Sequence, residues 1–219
     1  MAKVGVCLSG CGFMDGAEIQ ESVLTILALD RADAQMIFMA PDIPQTQVVN
    51  HQTGAQTSET RNVLVESARI TRGNVRDIKT VNPDEMDALI FPGGFGAALN
   101  LSDFGIQGAS GSVNPEVQRL IQGMIGAGKP IGVICIAPAM AAKAISNVTK
   151  GAKLTIGNDK NTASEMEKLG VFHTECAVQN FVTDEKYKIV STPAYMLGPR
   201  ISDVAKGIDG LVKKVLSLI

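Results

Sequence analysis

Cys135 stands where an apolar run, Pro130-Ile131-Gly132-Val133-Ile134, gives way to Ile136-Ala137-Pro138-Ala139-Met140. Residues 130 to 134 read as a short buried strand, and Ala137 to Ala144 as a helix whose early Pro138 needs no amide donor. A cysteine at such a corner is lifted to the carboxyl edge of the sheet with a helix N-terminus behind it. Dipole and free amides favour thiolate over thiol there and lower a pKa that is about 8.5 in free cysteine. That chemistry is nucleophilic addition or displacement. The alternative for Cys135 is a small buried hydrophobe that ends a core strand.

Pro92-Gly93-Gly94-Phe95-Gly96-Ala97 directly follows the strand-like Leu89-Ile90-Phe91. Glycines at that position leave amide hydrogens free for an oxyanion, or simply make a tight strand-to-helix turn. Glu18 and Glu21 lie one helical turn apart at the start of the first long helix, where acids also suit the helix dipole. One of the two is placed to hydrogen-bond the thiol or to move a proton on a substrate. In His173-Thr174-Glu175-Cys176, strand alternation puts His173 and Glu175 on one face, and His173 is a candidate proton carrier or a satisfied structural residue. Cys11 sits in the loop after the first strand, within Gly10-Cys11-Gly12-Phe13-Met14-Asp15-Gly16. That loop is a loose dinucleotide fingerprint, but its spacing is G-x-G-x-x-x-G, and Glu18 and Glu21 would set negative charge beside a pyrophosphate.

Alternating elements position these residues. Strand-like runs occur at Val4–Leu8, Gln35–Met39, Val75–Val81, Ala88–Phe91 and 130–134, and extended segments at 171–174, 178–183 and 187–192. Helices are predicted at Ala17–Arg31, Glu59–Arg69, 115–127 behind the capping Asn114, Ala137–Ala144, Thr162–Leu169 and 200–217. The Gly105 to Gly111 stretch reads as a mobile insertion whose glycines and serines cannot pack. The pattern predicts an α/β three-layer sandwich with a mostly parallel sheet, right-handed crossovers and a cysteine elbow. Ligands in such sheets bind outside the carboxyl ends of the strands, where Cys135 and the loops after Leu8 and Phe91 fall.

Bulk composition narrows the function. Residues 1–219 are long enough for one domain that buries roughly 70% of its unfolded surface. With 4% aromatics and no Trp the core is aliphatic. A net charge of -2 without a basic stripe argues against nucleic acid. No window is apolar enough to span a membrane, and the first residues lack the form of a secretory signal. Cys7, Cys11, Cys135 and Cys176 make no C-x-x-C pair, and His51 and His173 are the only histidines, so a zinc site is poorly supported. A cytoplasmic protein with reduced thiols, no metal and no cofactor is the expectation.

Longer strings carry a resemblance. They are Leu8-Ser9-Gly10-Cys11-Gly12, Asp15-Gly16-Ala17-Glu18-Ile19, Asn50-His51-Gln52-Thr53-Gly54, Glu59-Thr60-Arg61-Asn62-Val63-Leu64, Pro92 to Ala98, Cys135 to Met140 and Thr192-Pro193-Ala194-Tyr195-Met196-Leu197. Over essentially its whole length the chain resembles the class I glutamine amidotransferase-like superfamily of the Parkinson-associated deglycase and the PfpI-type proteases. Within it, the chain is most similar to the branch named for enhancing lycopene biosynthesis and described as a cofactor-independent glyoxalase. The resemblance implies a flavodoxin-like sandwich, a homodimer and a nucleophile at Cys135. It places the contacting acid on Glu21 with Glu18 as second choice, the oxyanion amides on Gly94 and Ile136, and the histidine on His173. The superfamily's proteases carry His immediately after the cysteine, where this chain has Ile136. The implied activity converts glyoxal or a related 2-oxoaldehyde to a hydroxy acid, the simplest being glycolate. The alternatives are a glutaminase using His173 and Glu175, and a redox-sensing or regulatory protein linked to isoprenoid biosynthesis.

Overall fold

Ala88–Phe91 and Ile131–Ile134 are apolar at every position, the pattern of strands covered on both faces rather than one. The computed structural model, which describes residues 1–198 and 200–219, builds them into the middle of a seven-stranded sheet. In chain order the elements are β1 (Lys3–Cys7), α1 (Ile19–Arg31), β2 (Gln35–Ala40), β3 (Val49–Asn50), β4 (Ala55–Gln56), α2 (Val63–Ile70), β5 (Arg76–Asp77) and β6 (Ala88–Phe91). There follow α3 (Phe95–Leu99), α4 (Phe104–Gln107), α5 (Pro115–Gly126), β7 (Ile131–Ile134), α6 (Ala137–Ile145) and β8 (Lys153–Leu154). The chain ends with α7 (Lys160–Glu167), β9 (Phe172–His173), β10 (Val182–Asp184), β11 (Ile189–Thr192) and α8 (Ile201–Ser217).

The sheet order is β10-β11-β7-β6-β1-β2-β5, and every pairing is parallel except that of β10 with β11. Two apolar clusters cover its faces. One joins Val117, Leu120 and Met124 of α5 to Met140 of α6, and the other joins Leu29 of α1 to Ile208, Leu211 and Val215 of α8. The result is an α/β sandwich of the flavodoxin type. No helix among the described residues is long and apolar enough to cross a membrane. Strand order reverses between β1 and β6, which opens a crevice at their carboxyl ends.

Three stretches depart from the sequence expectation. Val75 to Val81 keeps only two strand residues, because the Asp77 side chain accepts the Lys79 amide and starts a 3-10 turn. The helix expected from Glu59 begins at Val63, where Asn62 supplies the cap. Gly105 to Gly111 is built into α4 and a 3-10 turn rather than left loose. Glu165 accepts the Ala109 amide there and Lys143 Nζ donates to the Ala109 carbonyl. Side chains from α6 and α7 thus supply what the segment's own glycines lack.

The loops at the crevice are tied by Asn100, the buried residue that ends α3. Its Nδ2 donates to the carbonyls of Ser9 (2.9 Å) and Asp15 (2.8 Å), and its Oδ1 accepts the Thr46 amide (2.9 Å). Asp15, also buried, accepts the Val49 amide at 2.8 Å. Replacing Asn100 by Ala leaves the Ser9 carbonyl and the Thr46 amide without this partner and the Asp15 carbonyl with only the Gln45 side-chain amide, at 3.2 Å. Asn100→Ala is therefore expected to lower the unfolding free energy by about 2–4 kcal/mol, read from urea unfolding. A change within measurement error would show that this side chain does not hold the loops.

Candidate active site

Cys135 follows β7 directly and takes φ 62°, a left-handed conformation that is uncommon for a side chain with a Cβ. Its amide donates to the Thr192 carbonyl at 2.9 Å, which pins the corner to the end of β11. The helix behind it, α6, begins with Ala137 and Pro138, and nearly all of it is buried. An outlier of this kind persists only when its surroundings hold it, and such outliers gather at functional sites.

Glu21 of α1 meets this corner from the other side of the crevice. Its Oε2 accepts the Gly93 amide at 2.9 Å, its Oε1 accepts the Tyr195 amide at 3.1 Å, and the carboxyl lies close enough to the Cys135 thiol for each to shift the other's pKa. It has no exposed surface. Burial, reinforced by the nearby Glu18 carboxylate, outweighs these bonds and pushes its pKa up to about 8. Glu18 caps α1, its Oε2 accepting the Glu21 amide at 2.6 Å, and burial raises its pKa too. The structure thereby separates the two acids: Glu21 faces the sulfur and Glu18 starts the helix.

Glycine is required on the third side. A Cβ on Gly93 would lie 2.3 Å from the Cys135 Cβ and 2.5 Å from Glu21 Oε2. Gly94 has φ 93°, and a Cβ there would lie 2.4 Å from the Gly16 carbonyl oxygen. The amides of Gly94 and Ile136 lie close enough to the Cys135 sulfur to favour its charged form. The Gly93 amide is spent on Glu21, so Gly93 positions the acid and does not line an oxyanion hole.

The sulfur lies at the foot of a cavity of about 460 Å³, and Cys135 is 7% exposed. Phe13, Phe95 and Met196 form apolar walls, and Glu18, Gln20 and Tyr195 a polar one. The Tyr195 hydroxyl donates to Gln20 Oε1. Tyr195 was readable only by applying the carboxyl-edge rule to the last parallel strand, β11, which ends at Thr192.

Several sequence expectations are corrected. The Cys135 pKa is raised, not lowered: burial is the largest cause and the Glu21 carboxylate adds to it, while the Gly94 and Ile136 amides pull the other way. His173 does not join the site. It lies in the small β8-β9 sheet, where its ring nitrogen accepts the Ile156 amide at 3.4 Å. Among the described residues it bonds neither Cys135 nor Glu21 and lines no wall of the cavity. Cys11 also stands apart, with Glu66 and Arg69 as its charged neighbours and a pKa raised first by burial. The glycine loop has no amides to offer a pyrophosphate at Gly12 and Gly16, whose N–H groups donate to Ala17 and Gly12 carbonyls at 2.8 and 2.7 Å. Among the described residues no group of three or more His, Cys, Asp and Glu is gathered for a metal.

Known proteins resemble this chain over its full length. The rat ES1 protein homolog, mitochondrial, is 42% identical across 99% of the chain and 84% of its own length. The human glutamine amidotransferase-like class 1 domain-containing protein 3, mitochondrial, is 42% identical across 99% and 83%. An isoprenoid biosynthesis protein with an amidotransferase-like domain from Ehrlichia chaffeensis superposes with TM-score 0.94 at 37% identity, covering 100% of this chain and 99% of that one. Drosophila melanogaster DJ-1beta, at 18% identity and TM-score 0.55, covering 99% and 95%, shares the fold. No family model matches the sequence.

The buried Glu21 sets a pH dependence of stability. Its proton is held more tightly in the native chain, at about 8, than in the unfolded one, at about 4.3. The extra native proton stabilises fully below the lower value, and that stability is lost as pH rises through the upper one. Wild-type unfolding free energy should fall between about pH 4.5 and 8 by on the order of a few kcal/mol more than that of Glu21→Gln. Parallel curves in denaturant titrations across that range would remove the buried carboxylic acid from the account.

Proposed function

The chain belongs to the family of the ES1 and glutamine amidotransferase-like class 1 domain-containing proteins, and from that premise we propose that it is a cofactor-independent glyoxalase. The observation that carries the reading is Cys135, held at φ 62° against the buried Glu21 carboxyl at the foot of a cavity. One nucleophile, one proton carrier with a pKa of about 8 and two amides aimed at one point are what an aldehyde isomerisation needs.

The reaction starts from the state in which the pair holds one proton. As the sulfur bonds to the aldehyde carbon, the Glu21 carboxylate takes the thiol proton and the carbonyl electron pair moves onto oxygen. That oxygen is held by the Gly94 and Ile136 amides until Glu21 returns the proton, giving a hemithioacetal. Glu21 then removes the hydrogen of the sulfur-bearing carbon as a proton, and the second carbonyl's electron pair moves onto its oxygen, which takes the proton of the first hydroxyl to leave the enediol's anion. Glu21 returns its proton to the second carbon as the first oxygen closes to the thioester carbonyl. Water releases the thiol and the hydroxy acid. Glyoxal plus water becomes glycolate, with no external oxidant or reductant.

His173 has no part in this sequence, so proton transfer rests on Glu21. The glutaminase alternative loses its support for the same reason, since His173 and Cys135 are not assembled. The four cysteines are free, and a homodimer, a small-molecule aldehyde partner and a cytoplasmic location belong to the same proposal.

Glycolate formation from glyoxal measures the reading. Cys135→Ser should lower kcat/KM by about 10³-fold or more and Glu21→Gln by at least about 10²-fold, both with unchanged folds. Because the reactive state needs one proton removed from the pair, wild-type rate should rise with pH through an apparent pKa near 8. Full glyoxal turnover by folded Cys135→Ser would overturn the mechanism.

A further inference from the structure

Two cavities meet at the mouth of the Cys135 pocket. Phe13, Phe95 and Ile136 line both the inner cavity and a neighbouring one of about 980 Å³. The two phenylalanine rings are 44% and 50% exposed, a position that costs solvation and gives nothing to the core. Glyoxal occupies on the order of two waters' volume, ~60 Å³, so the inner cavity alone is several-fold too large for it. Volumes of this size seat whole organic molecules.

The walls also select by charge. Gln47, Asn161 and Ser164 give the outer cavity neutral hydrogen-bonding groups. Among the described residues no Lys or Arg lines either cavity. The carboxylates present are Glu18 inside and Glu165 outside, and Glu165 is already engaged by the Ala109 amide and Lys168. A phosphate or carboxylate on the ligand would find no counter-charge and one repelling acid.

Resting on the glyoxalase reading, we propose that the two cavities form one site for an uncharged, long-chain 2-oxoaldehyde. Its aldehyde carbon sits at Cys135, its apolar chain crosses between Phe13 and Phe95, and its far end, bearing a hydroxyl or amide, reaches the Gln47, Asn161 and Ser164 side. The chemistry is unchanged: sulfur adds to the aldehyde carbon, one hydrogen moves to the ketone carbon, and water releases the 2-hydroxy acid of the same chain. The product alone is anionic, and a site built without cations releases it.

Two measurements on the full chain test this. Initial rates are compared for glyoxal, 2-oxooctanal and a 2-oxoaldehyde of similar length ending in a carboxylate. The value of kcat/KM should rise about tenfold for every two methylenes that leave water, and the carboxylate probe should be at least tenfold poorer than 2-oxooctanal. Ser164→Trp, an exposed position on α7, should cut the ratio of the 2-oxooctanal to the glyoxal value at least tenfold. A ratio indifferent to chain length, terminal charge and Ser164→Trp overturns the proposal. Separately, titration calorimetry on Cys135→Ser should show octane-1,2-diol binding that ethane-1,2-diol lacks and that Ser164→Trp weakens. Absence of that binding overturns the proposal whatever the rates. Binding without turnover of any aldehyde by the wild-type chain keeps the extended site and rejects the glyoxalase.

Discussion

A carboxyl group with no exposed surface has to be neutralised or bonded on every lone pair, and Glu21 is held by both means. One oxygen takes an amide from the turn after β6, the other takes an amide from the turn after β11, and the Cys135 sulfur after β7 completes the set. Three strand ends and the first turn of α1 therefore converge on one side chain. The glycine at 93 follows from it, since a Cβ there would enter the space that the acid and the thiol occupy, while a Cβ at 94 would strike the Gly16 carbonyl and the Glu18 amide at the start of α1. The loop between β1 and α1 is in turn locked by Asn100 and Asp15, which fixes the approach of α1. The site is the point at which the turns of the sheet are joined.

Features set by local periodicity were legible in the amino-acid sequence. β6 and β7 are uninterrupted apolar runs, Asn114 and Pro115 announce α5, and Cys135 lies between a strand pattern and a helix start. The choice between Glu18 and Glu21 was not local. It depends on which acid the tertiary fold buries, and the capping role of Glu18 became visible only from its bond to the Glu21 amide. His173 misled for the same reason: alternation within a strand says which face a residue takes, not which sheet the strand joins, and β9 pairs with β8 in a sheet of its own. Gly105 to Gly111 looked loose because its partners, Lys143 and Glu165, are distant in sequence.

The thiol pKa was misjudged through a competition of two effects of different range. A helix N-terminus acts within one turn and is worth roughly 0.3–1 kcal/mol at an exposed site, and the amides of Gly94 and Ile136 act in that sense. Burial acts on the whole charge, and the acid beside it opposes a second negative charge in the same pocket. Neither is visible in a strand-to-helix corner read by itself.

A raised thiol pKa changes what kind of nucleophile Cys135 is rather than whether it is one. A standing thiolate at the foot of an open cavity would meet every oxidant and electrophile that entered, because oxidation follows thiolate character and access. A thiol paired with an acid that shares its proton ionises as its sulfur bonds to carbon, when the charge moves to an oxygen that two amides can hold. The protein thereby keeps the charge off sulfur at rest and places its donors where charge develops during reaction, so the burial that suppresses the free thiolate also makes the amides count for more.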